Sequence, residues 1–342
     1  MGSDQQRLER GVFTISIDTE LAWSVVHRGT VPPEQLLPSR SAAERKIVED
    51  LLTLFARYDT KATWATVGHL FIDSCREMEG RKHPEIERPD YEWFEGDWFD
   101  LDPATDLATD PMWYGTDILE MIRGARPVQE IGSHSFSHLI VGDPGCSEDA
   151  FASDLAACRQ VASAVGVQLR SFVYPRNTIG HLDTLAGHGF EAYRGLRPSI
   201  FPDLGRMQRL VARVADRIRP LPGSIVLPQR EGRLWNLPAT NLFAPWDRAG
   251  YIPMRSWLGQ QVRRLEQAGR YRSLFHLWFH PHNLLQQPDQ ALQGLERILR
   301  RAARLRDQGR IENLTMGELT NLLNRLHSGA AQVRPAVLDD AG

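Results

Sequence analysis

The chain has 342 residues, enough for one large α/β domain or two ordinary ones. Hydrophobic residues make up 42% and charged residues 24%, the balance of a water-soluble fold with a sizeable core. A formal charge of −3 sets up no global field toward nucleic acid or an acidic membrane, so neither is expected as a partner.

No run approaches the roughly 18–20 apolar residues that cross a bilayer. The first apolar stretch, 12–17, is too short for the core of a signal peptide and runs straight into Asp18. A cytoplasmic location is the expectation. Cys75, Cys146 and Cys158 are far apart and lack CxxC spacing, which argues against a disulfide framework and against a thiolate zinc site.

In chain order, 12–18 (VFTISID) reads as a short buried strand, β-branched and apolar. Helical spacing follows over 41–58 at Ile47, Leu51, Leu54 and Phe55, then a second strand over 62–67 ends at Gly68. Strand–helix–strand order points to a parallel α/β unit, open or closed into a barrel. The rhythm breaks at 84–106, where nine acidic residues face one basic and Tyr91, Trp93, Phe94, Trp98 and Phe99 are interleaved. Such a segment is either a binding lid or a solvated loop pinned by its aromatics.

Beyond it, helices are predicted at 116–123, 147–165, 182–188, 206–219, 256–267, 289–306 and 316–326. Strands are predicted at 128–131, 170–174, 224–227 and 274–279. Charge explains the arginine-rich 206–219 helix better than nucleic-acid contact does, because no aromatic platform accompanies it. No linker separates early from late motifs. The expected organisation is an extension at 1–11, one domain at 12–327 with an acidic and aromatic insertion near 73–115, and a flexible tail at 328–342.

Three polar constellations fall at strand ends, where α/β proteins bind ligands. Asp18-Thr19-Glu20 places two carboxylates on one side of an extended segment, a pair that a cation or a shared proton would relieve. His134 and His138, at i and i+4, would share a helix face and could chelate one metal. In 275–282, FHLWFHPH, a histidine could protonate a leaving group, while His276 reads as a satisfied core residue.

With these motifs in view, the chain resembles the polysaccharide deacetylase, or NodB-homology, superfamily, which includes carbohydrate esterase family four. FTISIDTE, KATWATVGHL, EIGSHSFSH, RSFVYPRN and FHLWFHPHN occur in the family's order over about residues 12–285. DPMWY at 110–114 looks like the branch that acts on small amides.

The resemblance implies a deformed (β/α) barrel, a single domain, and a divalent metal cofactor, commonly zinc. It makes Asp18 the general base and His134 and His138 metal ligands. Glu20 becomes the carboxylate ligand, since Thr19 stands where better-known members carry a second aspartate. His280 matches the catalytic acid, with His282 second. Arg176 matches the turn whose backbone N–H holds the oxyanion, and its guanidinium would orient Asp18. Many relatives place that arginine two positions before the proline, where this chain has Val173. Tyr174, Asn177, Trp64 and His282 fall in the substrate-binding set, and the tryptophan-containing fourth motif has no good match.

The implied activity is metal-dependent hydrolysis of an amide C–N bond, most simply N-deacetylation of a small amino-sugar substrate. Deformylation, opening of a cyclic amide or imide, and non-catalytic carbohydrate binding are the rival readings.

Overall fold

The computed structural model describes residues 4–5, 7–25, 27, 37–197, 226–244 and 254–332. The predicted helix at 206–219 lies outside them, as does the first part of the predicted strand at 224–227.

The core of the fold is a ring of parallel strands. β1 (Gly11–Thr19), β2 (Thr63–Thr66), β3 (Glu130–Ser133), β4 (Ser171–Val173) and β5 (Ala192–Arg194) pair in that order. β6 (Leu234–Asn236) then pairs with β5, and β7 (Asn241–Leu242), on the same stretch of chain, pairs with β8 (Leu274–Phe279). β8 returns to β1, so the 234–242 segment closes a deformed barrel. A short β9 (Ile311–Asn313) shares the edge of β1 below β2. The chain is one α/β domain, and Asp4–Gln5 of the N-terminal extension pairs with Gln229–Glu231.

Alternation along β1 shows how the sequence builds both layers. Phe13, Ile15 and Ile17 point outward and join a cluster with Ile47, Leu51 and Phe55 of α1 (Pro38–Arg57). Val12 points inward with Ala65, Val173, Ala192, Trp235, Leu237 and Leu274. Met316, Leu319 and Leu323 of α7 (Met316–Gln332) plug that interior near the amino ends of the strands. There the backbone N–H of Met316 donates to the Thr63 hydroxyl at 2.8 Å. A strand buried on both faces must be nearly all apolar, so the inward Ser16 and Asp18 near the carboxyl end of β1 mark the polar mouth of the barrel.

The remaining α-helices among the described residues, α2 (Thr116–Gly124), α3 (Glu148–Ala164), α4 (Leu182–Gly187), α5 (Met254–Tyr271) and α6 (Pro288–Asp307), follow successive strands or precede their partners. α3 begins at a sequence-encoded cap: the Ser147 hydroxyl accepts the Ala150 N–H at 3.0 Å, with Glu148 and Asp149 in the first turn.

Two predicted features shift, and two short strands were not predicted. The strand predicted at 128–131 forms at Glu130–Ser133, leaving Val128 exposed. β5 and β6, three residues each, are absent from the sequence reading. The last helix runs on to Gln332, into the predicted tail. The aromatics of the insertion are largely buried: Tyr91, Trp98 and Phe99 pack into the main cluster, so the segment is pinned to the barrel.

Candidate active site

Asp18 and Glu20 leave the carboxyl end of β1, and both are buried. His134 and His138 come from the segment after β3. Their spacing suggested a helix, but the structure makes a loop there, with Ser135 at φ 65° and His138 at φ 59°. The physical reason is Asp154 on α3. Its carboxylate accepts the N–H groups of Phe136 (2.7 Å) and Ser137 (3.1 Å) and the hydroxyls of Ser135 (3.0 Å) and Ser137 (2.9 Å). The loop curls around one buried anion and still turns both imidazoles the same way. Gly68 makes room for it: a Cβ there would lie 2.8 Å from Cα of Phe136.

Three imidazoles converge on one oxygen. Glu20 Oε1 lies 2.9 Å from His134 Nε2, 3.2 Å from His138 Nε2 and 3.4 Å from His280 Nε2. Nδ1 of His134 faces the Val173 carbonyl at 2.7 Å, so the proton sits on Nδ1. In the neutral ring Nε2 then presents a lone pair to a carboxylate, an arrangement that a cation satisfies and that fixes the tautomer of a metal ligand. Glu20 Oε2 and His138 Nδ1 are buried with no hydrogen-bond partner. The donor set of two imidazoles and a carboxylate, all within 4.8 Å of one another, fits a divalent ion of the zinc type.

Asp18 is clamped by an arginine. Arg194 on β5 donates from Nη1 to Oδ1 at 2.5 Å and from Nη2 to Oδ2 at 2.7 Å, with both residues buried. The same guanidinium donates to Ser16 Oγ (3.1 Å) and Asn177 Oδ1 (3.2 Å) and stacks 4.4 Å from the Trp278 ring. Burial alone would raise the Asp18 carboxyl, but Arg194, then His280, hold it below its ordinary value. Glu20 is likewise raised by burial and pulled well below its ordinary value, first by the charge of His280.

Arg176 was expected to orient Asp18, and here the structure corrects the sequence. The Arg176 guanidinium donates to the backbone oxygen of His27 and lies over the Trp93 ring at 5.0 Å. The arginine beside Asp18 is Arg194, which stands opposite Val173 in the register of β4 and β5.

His280 extends from the end of β8. Asn283 Oδ1 accepts both its backbone N–H and its Nδ1–H, each at 3.0 Å, which turns Nε2 toward Asp18 Oδ2 (3.6 Å) and Glu20. Its side chain is 17% exposed where Glu20 is 3%, so His280 is the member of the group that faces the opening. Burial would lower its pKa, but Glu20 and Asp18 raise it to about 9. His282 stacks on it at 4.6 Å. His276 is a core residue: Nδ1 donates to the Leu237 carbonyl, Nε2 accepts from Ser16, and burial lowers its pKa to about 3.

Two of the expected substrate contacts are displaced. Trp64 is fully buried on the outer face of β2 against Phe55, with Nε1 directed at Gln129 (3.4 Å). Tyr174 is also fully buried, its hydroxyl donating to the Gly180 carbonyl at 2.8 Å. Both are packing residues, because outward positions of a barrel strand meet helices rather than the mouth. Asn177 and His282 lie beside Arg194 and His280. Asp154, Arg194 and Asn283 were missed. An arginine at the end of the short FEAYR segment between Gly189 and Gly195 was the one available signal for Arg194.

The fold is that of the polysaccharide deacetylases. A crystal structure from Mycobacterium smegmatis, assigned as a polysaccharide deacetylase, is similar with a TM-score of 0.61 at 14% identity, covering 100% of this chain and 99% of that one. One from Pseudomonas aeruginosa PAO1, assigned likewise, has a TM-score of 0.56 at 10% identity, covering 92% and 91%. No protein-family model matches the sequence, and no curated protein matches it.

Proposed function

We propose that this chain is a metal-dependent amide hydrolase that removes the N-acetyl group from an amino sugar or a sugar-containing biosynthetic intermediate. The observation that carries the reading is the buried Glu20 oxygen ringed by His134, His138 and His280, two residues from an arginine-clamped Asp18.

Glu20, His134 and His138 would hold the ion. A divalent ion there supplies Lewis acidity, polarising a carbonyl and making water more acidic, toward a pKa of about 7. Asp18 is the base. Arg194 keeps it ionised and fixes its orientation, and a weakly basic carboxylate suffices against so acidified a proton. The Arg176 N–H, on the turn beside Asn177, is our candidate donor to the oxyanion. His280 gives its Nε2 proton to the departing amine, otherwise a very poor leaving group.

The pH dependence follows from this assignment. The acid is competent while His280 is protonated, below its pKa, and activity falls as pH rises through it. A cation on Glu20 offsets the charge that raises His280, so the descending limb should lie between its ordinary 6.5 and about 9. In His280→Ala that limb should flatten, and substrates with better leaving groups should lose less rate. The same pattern in His282→Ala, with His280→Ala near wild type, would move the acid to His282. Loss of the ion in His280→Ala would make His280 a ligand, as its 3.4 Å approach to Glu20 allows.

A second reading, deformylation or opening of a cyclic amide or imide, keeps support from the DPMWY segment. It braces the turn after Glu20: the Met112 carbonyl accepts the Ala22 N–H at 2.9 Å, and Trp113 meets Trp23 at 5.4 Å. A panel of acetylated, formylated and cyclic amides separates the readings. Acetate release from N-acetyl amino sugars is expected to dominate. Dominant formate or ring-opened acid would select the second reading, and no turnover on any member with the ion bound would favour a binding protein.

A further inference from the structure

A second group of metal-type donors lies within the insertion, apart from the site above. His69 sits on the 3-10 turn just after β2, and Cys75 a few residues beyond it. His83 follows the small hairpin of Glu77–Met78 and Arg81–Lys82, and Asp102 lies at the far end of the aromatic loop. Their four ligand atoms all lie within 4.8 Å of one another. Asp102 Oδ2 is 3.1 Å from His69 Nε2, 3.1 Å from His83 Nε2 and 3.4 Å from Cys75 Sγ. Bonds of about 2.0–2.3 Å around a tetrahedral zinc put neighbouring donors ~3.3–3.8 Å apart, and the three distances to Asp102 lie within or just short of that range.

An independent observation points to a ligand. Nδ1 of His69 faces the Trp113 carbonyl at 3.0 Å, and since a carbonyl only accepts, that nitrogen carries the proton. Nε2 of the neutral ring then turns a lone pair toward the Asp102 carboxylate. It is fully buried, aimed into the cluster, and has no hydrogen-bond partner. The ring packs against Trp23, Tyr114 and Phe136. A cation between the two groups resolves the conflict.

The surroundings are arranged as a ligand shell requires. Asp102 Oδ1 accepts the Ala104 N–H at 3.0 Å, freeing Oδ2 for the cluster. The Tyr114 hydroxyl, 3.3 Å from Cys75 Sγ, accepts the Thr105 N–H at 2.9 Å. Such outer contacts fix the direction of each donor. Cys75 alone is partly exposed, which gives an ion a way in.

We propose that His69, Cys75, His83 and Asp102 bind a second divalent ion of the zinc class, a structural site that fastens the 73–115 insertion to the barrel. The fastened segment reaches the first site. Trp98 Nε1 donates to Ser137, the neighbour of His138, at 3.1 Å, and the Tyr91 hydroxyl accepts the Ile140 N–H at 2.9 Å. The ion would hold a wall of the active site without touching its chemistry.

Cobalt tests the assignment with the full chain. Protein stripped of metal and loaded with Co2+ should show a thiolate-to-cobalt charge-transfer band, which a set of histidines and a glutamate cannot produce. The band should vanish in Cys75→Ala and persist in His134→Ala. Zinc content should be about two equivalents per chain, one for each site, and fall to about one in either His83→Ala or His134→Ala. Absence of the band in cobalt-loaded wild type would overturn the proposal, and that spectrum needs no variant to fold. Unchanged zinc in both Cys75→Ala and His83→Ala would overturn it too. A sulfur band with a single zinc unaffected by His134→Ala would instead uphold this site and remove the catalytic one.

Discussion

Replacing His134 or His138 with alanine is expected to remove the ion held with Glu20 and to take turnover to background. The two imidazoles are the only neutral nitrogen donors proposed for that ion, and a carboxylate alone holds zinc weakly. Losing the Lewis acid forfeits several kcal/mol of transition-state stabilisation, and about 4 kcal/mol is already roughly a thousandfold in rate. Metal content and turnover should therefore fall together. Asp18→Asn should separate them, retaining the ion while losing about a hundredfold or more in rate, as for a lost general base. Full metal retention in both histidine variants would remove them from the ligand set, and metal loss in Asp18→Asn would exchange its role with that of Glu20.

Arg194→Met should be the most damaging single change to stability near the site. It leaves Asp18 2% exposed and without its two guanidinium hydrogen bonds, and breaking one side of a buried ion pair costs about 3–5 kcal/mol. Asp18 is held below its ordinary 3.8 in the folded chain, so the pair's contribution is complete above that pH and is lost as pH falls through the folded value. The gap between wild type and Arg194→Met in urea unfolding should be full at neutral pH and narrow in acid. Because Val173 and Arg194 are register neighbours, the exchange Val173→Arg with Arg194→Val should recover part of both stability and rate. A single Arg194→Met variant of wild-type stability would show that the clamp is not what balances Asp18.

The long elements were legible and the short ones were not, for a physical reason. β1 is β-branched, β8 is leucine- and aromatic-rich, both are largely buried, and that composition is visible in one sequence. β5 and β6 are three residues long, shorter than any period can be read, so Arg194 could not be placed beside Asp18. The HxxxH spacing singled out two imidazoles that do lie together, but through a different geometry: a loop around Asp154, rather than a helix face, brings them together. Trp64 and Tyr174 sit in motif stretches, yet what the motif encodes at those places is packing. The donors at 69, 83 and 102 escaped altogether, and the spacing of Cys75 argued against a thiolate zinc site, because zinc-site reading expects close-spaced cysteines and these four donors come from separate segments.

The central claim is that Glu20, His134 and His138 hold an ion required for amide hydrolysis. Amine release from an N-acetylated amino sugar, followed before chelation, after chelation and after Zn2+ is restored, tests it most directly. The account predicts turnover that disappears with the chelator and returns with the ion in wild type, but does not return in His138→Ala. Turnover that survives complete metal removal, or that zinc restores equally in His138→Ala, would contradict it.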